Sequence, residues 1–344
     1  MPKQTAAHRI VLAAHPAGEP EDTDFRLETC ELAEPGPGQM LLRTVYLSLD
    51  PYMRGRMNAT RSYAPSVPLG GTMVGEVIAQ VVESRLEGFK PGDYVLAHCG
   101  WTTHALSDGN GVHRVDPALA PIETRLGVLG MPGFTAFAGL REIGQPQPGE
   151  TVVVAAASGP VGSLVGQLAQ RAGARAVGIA GGAEKCAYVR DELGFDAVID
   201  HRAPDMAQAL AQACPQGVDV YFENVGGAVW QAVFPLLNTF ARVPVCGVIA
   251  DYNGTTANPG DLSVPALMRA VLSKRLTLRG FINYDLEQHR TAFLEELPPI
   301  VRDGSIRYAQ DIVDGLENAP RAFMSMLKGG NFGKLLIRVS PPQQ

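Results

Sequence analysis

The chain has 344 residues, 46% of them hydrophobic and 19% charged, with a formal net charge of -6. That length exceeds one ordinary hydrophobic core, so two domains are expected. The negative balance argues against non-specific nucleic-acid binding, and no stretch is apolar for long enough to span a membrane.

The N-terminal MPKQTAAHRI lacks the apolar core of a signal peptide. Cys30, Cys99, Cys186, Cys214 and Cys246 are scattered, odd in number and form no C-x-x-C pair. A reducing cytoplasm is expected, without disulfides or a structural zinc module.

Residues 1–125 are rich in short strand patterns. Met40–Leu47, Thr72–Val82 and Tyr94–Ala97 are punctuated by Pro35-Gly36, Gly70-Gly71 and Pro91-Gly92. A β-rich domain, a strongly bent sheet or partial barrel, is expected there. Residues 126–300 alternate strand and helix patterns. The strands are Thr151–Ala155, Arg175–Ile179, Ala197–Ile199, Val218–Phe222, Arg242–Val248 and Leu276–Gly280. That alternation predicts a parallel, doubly wound sheet, and the fold class is α/β. Residues 301–344 carry a helix over Ala319–Lys328 and a last strand over Lys334–Val339. Periodicity leaves open which domain they join.

The most informative stretch is Thr151–Gln170, TVVVAAASGPVGSLVGQLAQ. A β-branched run is followed by small residues, then Gly159 and Gly162, then a helical pattern with Leu164, Val165, Leu168 and Ala169 on one face. Strand, glycine turn and helix are the first half of a dinucleotide-binding unit. Gly159 lets the backbone approach a pyrophosphate, and Gly162 lets the helix start pack on the strand. The free N–H groups and the positive helix end then face the phosphates. Ala157 replaces the first glycine of the usual pattern.

The second strand indicates which dinucleotide. Sites for NAD usually carry a carboxylate at its end, bonding the ribose 2′-OH. Here the strand runs into Ala180-Gly181-Gly182-Ala183-Glu184-Lys185. Small residues leave room for a 2′-phosphate, and Lys185 supplies a cation. A solvated lysine at a helix start would oppose the helix dipole. His201 and Arg202, after the third strand, can flank the same pocket.

Asn224 ends the strand of VDVYFENVGG. Its amide can face a ligand outside the carboxyl end of the sheet, or simply turn the chain before Gly226-Gly227. Tyr252 follows the Arg242–Val248 strand. It can donate a proton or hydrogen-bond an oxyanion, or be a surface tyrosine before the Asn253-Gly254 turn.

Together these segments resemble the medium-chain dehydrogenases/reductases. Within that superfamily they resemble the zinc-independent branch of prostaglandin reductases, curcumin reductases and plant double-bond reductases. The resemblance covers essentially the whole chain. It rests on LSLDPYMRGRM at Leu47–Met57, AAASGPVGSLVGQLA at Ala155–Ala169, GIAGGAEKC at Gly178–Cys186, YFENVGG at Tyr221–Gly227 and GGNFGKLL at Gly329–Leu336.

The resemblance implies a GroES-like substrate domain over 1–125, a Rossmann domain over 126–300, and a segment 301–344 returning to the first domain. It implies NADPH-dependent reduction of a carbon–carbon double bond conjugated to a ketone or aldehyde, by a homodimer. It places Ser158, Gly159, Val161 and Gly162 on the pyrophosphate, and Lys185 and His201 at the 2′-phosphate. Asn224, Cys246, Gly247, Tyr252, Phe281, Ile282, Asn283 and Asn331 fall along the rest of the cofactor. Tyr252 matches the active-site tyrosine, and Tyr52, in DPYMR, is a further candidate for the substrate pocket.

Two departures stand out. His201 stands where the family usually has tyrosine, which makes phosphate binding sensitive to imidazole protonation. Asn283 is more polar than the usual residue of its segment. The zinc alcohol dehydrogenases of the superfamily carry a G-H-E motif, but this chain has Gly70-Gly71-Thr72. His98, Cys99 and His104 are the one local cluster that could mimic a metal site, and no metal is expected. Pocket size depends on loops such as residues 58–67 and 251–259. A quinone reductase of the same superfamily, or a non-catalytic NADPH-binding protein of the lens-crystallin kind, are the competing readings.

Overall fold

Two units account for residues 4–60, 62–254 and 263–342, which the computed structural model describes. One is Met1–Leu126 with Gln310–Gln344, and the other is Gly127–Ala309.

The first unit is built on Met40–Ser48, a strand buried along nearly all its length. Register shifts after Leu41 and Thr44 bend it, as an extra residue in one strand does. It sits inside a seven-stranded sheet. The order is Gln310–Asp314, Lys334–Arg338, Met40–Ser48, Val77–Ser84, Tyr94–Ala97 and His113–Val115, with His104–Ser107 also paired to Met40–Ser48. The late strand Lys334–Arg338 lies antiparallel to Met40–Ser48, Leu336 opposite Ser48. Trp101 stacks on Phe25 at 5.7 Å between ring centroids, and Phe323 meets Trp101 edge-on at 5.7 Å. All three rings are buried. Aromatic geometry of this kind adds to the area term that dominates a core.

One expected strand moved. Extended structure begins at Val77, not Thr72. Thr72 and Met73 pair elsewhere: Thr72 bridges Val11, and Met73 N–H reaches the Ile10 carbonyl at 2.9 Å.

The second unit contains six parallel strands, β1 (Thr151–Ala155), β2 (Arg175–Ala180), β3 (Ala197–Asp200), β4 (Val218–Phe222), β5 (Leu237–Val245) and β6 (Thr277–Gly280). Their order is β3-β2-β1-β4-β5-β6. All five residues of β1 are buried, as expected for a strand with both faces covered by helices. The order reverses between β1 and β4, which makes the crevice at their carboxyl ends the place for a ligand. β5 ends at Val245, short of the expected Val248. The N–H groups of Cys246 and Gly247 both turn to the carbonyl of Glu223, at 2.9 and 3.1 Å.

Candidate active site

The glycine turn after β1 is steric necessity made visible. Ala156 takes a left-handed φ of 52°. Its carbonyl then lies under the helix Pro160–Arg171, 2.4 Å from where a Cβ on Gly162 would be. Only glycine fits that closeness. Gly159 is the N-cap, with no side chain to satisfy the first N–H groups, and Pro160 starts the helix. The helix therefore presents backbone donors and its positive end outward, which is what a pyrophosphate requires. Ser158 is buried and Val161 is partly exposed beside it. The face packed on the sheet differs in one respect from the expected pattern. Leu168 is partly exposed, while Gln167 is buried. The Gln167 amide donates to the carbonyls of Ser163 and Arg307, both at 2.9 Å, and accepts from Arg307 N–H at 2.8 Å.

At the end of β2 three basic side chains gather. A Cβ on Gly181 would lie 2.5 Å from His201 Nε2 and 3.1 Å from Arg202 Nε. One on Gly182 would lie 3.3 Å from an Arg202 guanidinium nitrogen. Lys185, on the short helix Ala183–Ala187, is close enough to help hold the His201 pKa below its usual 6.5. Burial is the main cause of that shift, with Arg202 next and Asp200 opposing. Asp200 was not foreseen. It accepts the N–H groups of Gly182 and Arg202, both at 2.9 Å. Those two bonds hold its carboxyl below the usual range. Its charge is thus spent on shaping the loop, and the small-residue cradle fits a 2′-phosphate among cations.

Asn224 spans the crevice. Its amide donates to the Ala155 carbonyl at 2.8 Å, tying the end of β4 to the end of β1 where the strand order reverses. Beside it Glu223 is buried and accepts Tyr221 O–H at 2.9 Å and the N–H groups of Val225 and Gly226 at 2.7 and 2.9 Å. Burial still pushes its carboxyl above the usual range. Sequence reasoning passed over Glu223. Its signal was a lone acid between an apolar strand and Gly226-Gly227.

The segment after β5 is laced to the segment after β4. Besides the bonds from Cys246 and Gly247, Ile249 N–H reaches Asn224 and Ala250 N–H reaches Val225, at 3.4 and 2.9 Å. A single helical turn, Ile249–Asp251, then carries Tyr252. The chain doubles back, and the Tyr252 hydroxyl comes within 3.0 Å of where a Cβ on Gly247 would stand. Loss of hydration pushes the Cys246 thiol up to about 12, so it is a poor nucleophile. Of the loop 251–259, residues 255–259 lie outside the described residues.

Phe281 is buried with its ring edge-on to Phe222 at 6.2 Å. Its ring also fills the space beside Gly139, where a Cβ would lie 2.5 Å from it. Ile282 and Asn283 are partly exposed beyond it, at the start of a short helix. The other two candidates belong to the first unit. Tyr52 opens the helix Tyr52–Arg56, its phenol pushed far up by burial and then by Asp50. Asn331 donates to the Gly333 carbonyl at 2.8 Å. The second unit thus gathers the glycine turn, Lys185, His201, Asn224, Gly247 and Tyr252 at the carboxyl end of one sheet.

Two family models match. Residues 8–115 match one described as the N-terminal domain of oxidoreductase, and residues 160–297 one described as zinc-binding dehydrogenase. The described residues offer no donor set for the metal in that description. Among the described residues no three His, Cys, Asp or Glu side chains are grouped to hold an ion. His98 pairs with Glu76 at 3.6 Å, and the Cys99 thiol, pushed up to about 12 by burial, has no further donor grouped with it. The NADPH-dependent curcumin reductase of Escherichia coli (strain K12) is 53% identical over 333 residues, 96% of each chain. Prostaglandin reductase 1 of Rattus norvegicus is 40% identical, covering 95% of this chain and 97% of its own. The crystal structure of CurA from Vibrio vulnificus in complex with NADPH superposes with a TM-score of 0.94 at 48% identity, over 97% of this chain and all of that one. On these identities and matches over nearly its whole length, the chain belongs to the medium-chain dehydrogenase/reductase superfamily, among the curcumin and prostaglandin reductases.

Proposed function

We propose that this chain reduces the carbon–carbon double bond of α,β-unsaturated ketones or aldehydes. It is an NADP-dependent oxidoreductase, and its cofactor is NADPH. The observation that carries the cofactor side is the cluster of Lys185, His201 and Arg202 over Gly181-Gly182. The substrate class rests on likeness to double-bond reductases and on Tyr252 standing at the crevice.

When bound, NADPH supplies the hydride for the β-carbon and a ribose hydroxyl as one hydrogen-bond donor. The glycine turn holds the pyrophosphate on backbone N–H groups. Lys185, with His201 and Arg202, neutralises the 2′-phosphate. Asn224 keeps the two strand ends in register. The Tyr252 phenol donates to the substrate carbonyl oxygen as negative charge gathers there, where a fixed donor does most good. The α-carbon takes its proton from Tyr252 or solvent. Tyr52 lines the substrate pocket.

The test is NADPH oxidation with a panel of enones, enals and quinones, run before and after dialysis against a chelator. Enones and enals turn over best, and chelation leaves the rate unchanged. Better turnover of quinones would replace the substrate class, no turnover would leave a binding protein, and a rate restored only by zinc would overturn the metal-free reading.

We further infer a homodimer in the cytoplasm. No helix of the described residues is long and apolar enough to cross a membrane, and the five cysteines are free. Support for self-association comes from the helix Val264–Lys274, which leads into the edge strand β6. Val264, Met268 and Leu272, four apart on one face, are 71%, 60% and 79% exposed. A stripe of that kind beside an open sheet edge calls for a partner. Sedimentation should give twice the chain mass, and Leu272→Glu should shift it toward the monomer. A wild-type protein that stays monomeric at all concentrations would refute the dimer.

A further inference from the structure

Asp50 and Lys334 form an ion pair inside the first unit, 2.6 Å apart with side chains 6% and 2% exposed. They are 284 residues apart in the chain. Both side chains are buried. Lys334 Nζ also donates to the Leu49 carbonyl at 2.8 Å. The second carboxylate oxygen of Asp50 accepts the Ser48 hydroxyl. A Leu49 N–H to Leu335 carbonyl bond, 3.2 Å long, runs alongside.

Such a pair is a poor way to gain stability, because two apolar side chains of similar volume would cost less to bury. What it supplies is direction. Hydrogen bonds fix atoms along set lines, whereas apolar contacts allow sliding. The two ends of this pair lie beside two residues of interest. After Asp50 comes Pro51, with φ near -57°, and then Tyr52; Met53 N–H closes the turn on the Asp50 carbonyl at 3.1 Å. Before Lys334 comes the loop of Asn331, closed by the bond from its amide to Gly333 and by Phe332 N–H on Asp311 at 3.2 Å.

We propose that the Asp50–Lys334 pair is a positioning device, which sets the turn bearing Tyr52 and the loop bearing Asn331 in one fixed register. This rests on the functional reading above, in which Tyr52 belongs to the substrate pocket, and on the family resemblance that sets Asn331 along the cofactor. Neither charged residue touches substrate or cofactor; both act through their neighbours.

The test uses the full-length protein with Asp50→Asn and Lys334→Met combined, so that no lone charge is left buried. Melting temperature, NADPH dissociation constant, enone Michaelis constant and turnover are measured. Adenosine 2′,5′-bisphosphate, which has the 2′-phosphate but no nicotinamide, is the control ligand. The double variant should melt close to the parent. Its NADPH dissociation constant and enone Michaelis constant should each rise about ten-fold, within the range by which residues touching neither ligand alter binding. Turnover should fall less, and the bisphosphate affinity should not change. Asp50→Glu keeps both charges but moves the carboxylate by one methylene, and should show the same pattern in milder form. Parent-like constants in whichever of these variants folds would overturn the positioning role and leave the pair structural. A parent protein that oxidises NADPH with no enone would instead remove the functional reading, and the NADPH affinity would still report on Asn331.

Discussion

Lys185→Ala should raise the Michaelis constant for NADPH about ten- to a hundred-fold and leave NADH kinetics nearly unchanged. A charge-assisted hydrogen bond to a phosphate contributes roughly 1.5–3 kcal/mol, and a bond made equally in ground and transition states appears in the Michaelis constant. NADH has no 2′-phosphate and does not use that bond. The effect stays within two decades because His201 and Arg202 face the same glycines. A rise in both cofactors' Michaelis constants by equal factors would show that Lys185 supports the loop and not the phosphate.

His201 adds a pH dependence of definite sign. In the free protein its pKa is lowered, chiefly by burial and then by Arg202, with Lys185 adding to the effect and Asp200 opposing it. A bound phosphate favours the protonated ring, so binding takes up a proton. NADPH affinity is therefore higher below the imidazole pKa of the complex and is lost as pH rises through it. On the acid side the gain stops where the phosphate itself protonates, at about 6. NADH should show no such slope, and His201→Tyr should flatten the NADPH curve. Titrating the parent and His201→Tyr with NADPH and NADH, by fluorescence of the bound cofactor at each pH, checks this.

The features legible in the sequence are those whose physics is local. Gly159 and Gly162 could be assigned their places because a turn between a buried strand and a helix start needs backbone closeness, and Gly162 has a carbonyl 2.4 Å from its missing Cβ. Periodicity likewise located β1 and β4 to the residue. Where the chain must leave a sheet, local pattern fails. β5 was expected to continue through Val248, since Cys246-Gly247-Val248 has nothing against extension. It ends because Cys246 and Gly247 share one acceptor, the Glu223 carbonyl just past the end of β4, and Glu223 opposite Val245 is the last rung of that ladder. Buried polar residues are the hardest to read. Gln167 looks like the wet side of a helix until Arg307 is seen to meet it, and Asp50 and Lys334 look like surface charges until their partners arrive from the far end of the chain. A lone titratable letter carries no record of the partner that makes its burial tolerable.

Tyr252→Phe is the variant that tests the chemical step. The ring stays, so packing around Gly247 is preserved, and only the donor is lost. Removing one oxyanion donor in other enzymes costs on the order of a hundred-fold or more in turnover. A ribose hydroxyl shares the work here, so the expected loss is roughly ten- to a hundred-fold. It should fall on turnover more than on NADPH affinity, because the enolate charge exists only in and after the transition state. Weakly activated ketones should lose most, since they depend most on help in carrying that charge. The position of Tyr252 bears on this expectation. It does not sit on the end of β5 but on the helical turn Ile249–Asp251, which is bonded through Ile249 and Ala250 to the strand-end segment of Asn224 and Val225. The phenol is thus held from the same segment whose amide ties β4 to β1. Asn224→Ala should therefore lower turnover as well, by loosening that shared support, while Tyr252→Phe leaves the support intact. Single-turnover hydride transfer, followed by NADPH absorbance, separates the two from product release. An unchanged transfer rate in Tyr252→Phe would take the phenol out of the mechanism and leave the ribose hydroxyl or water as the donor.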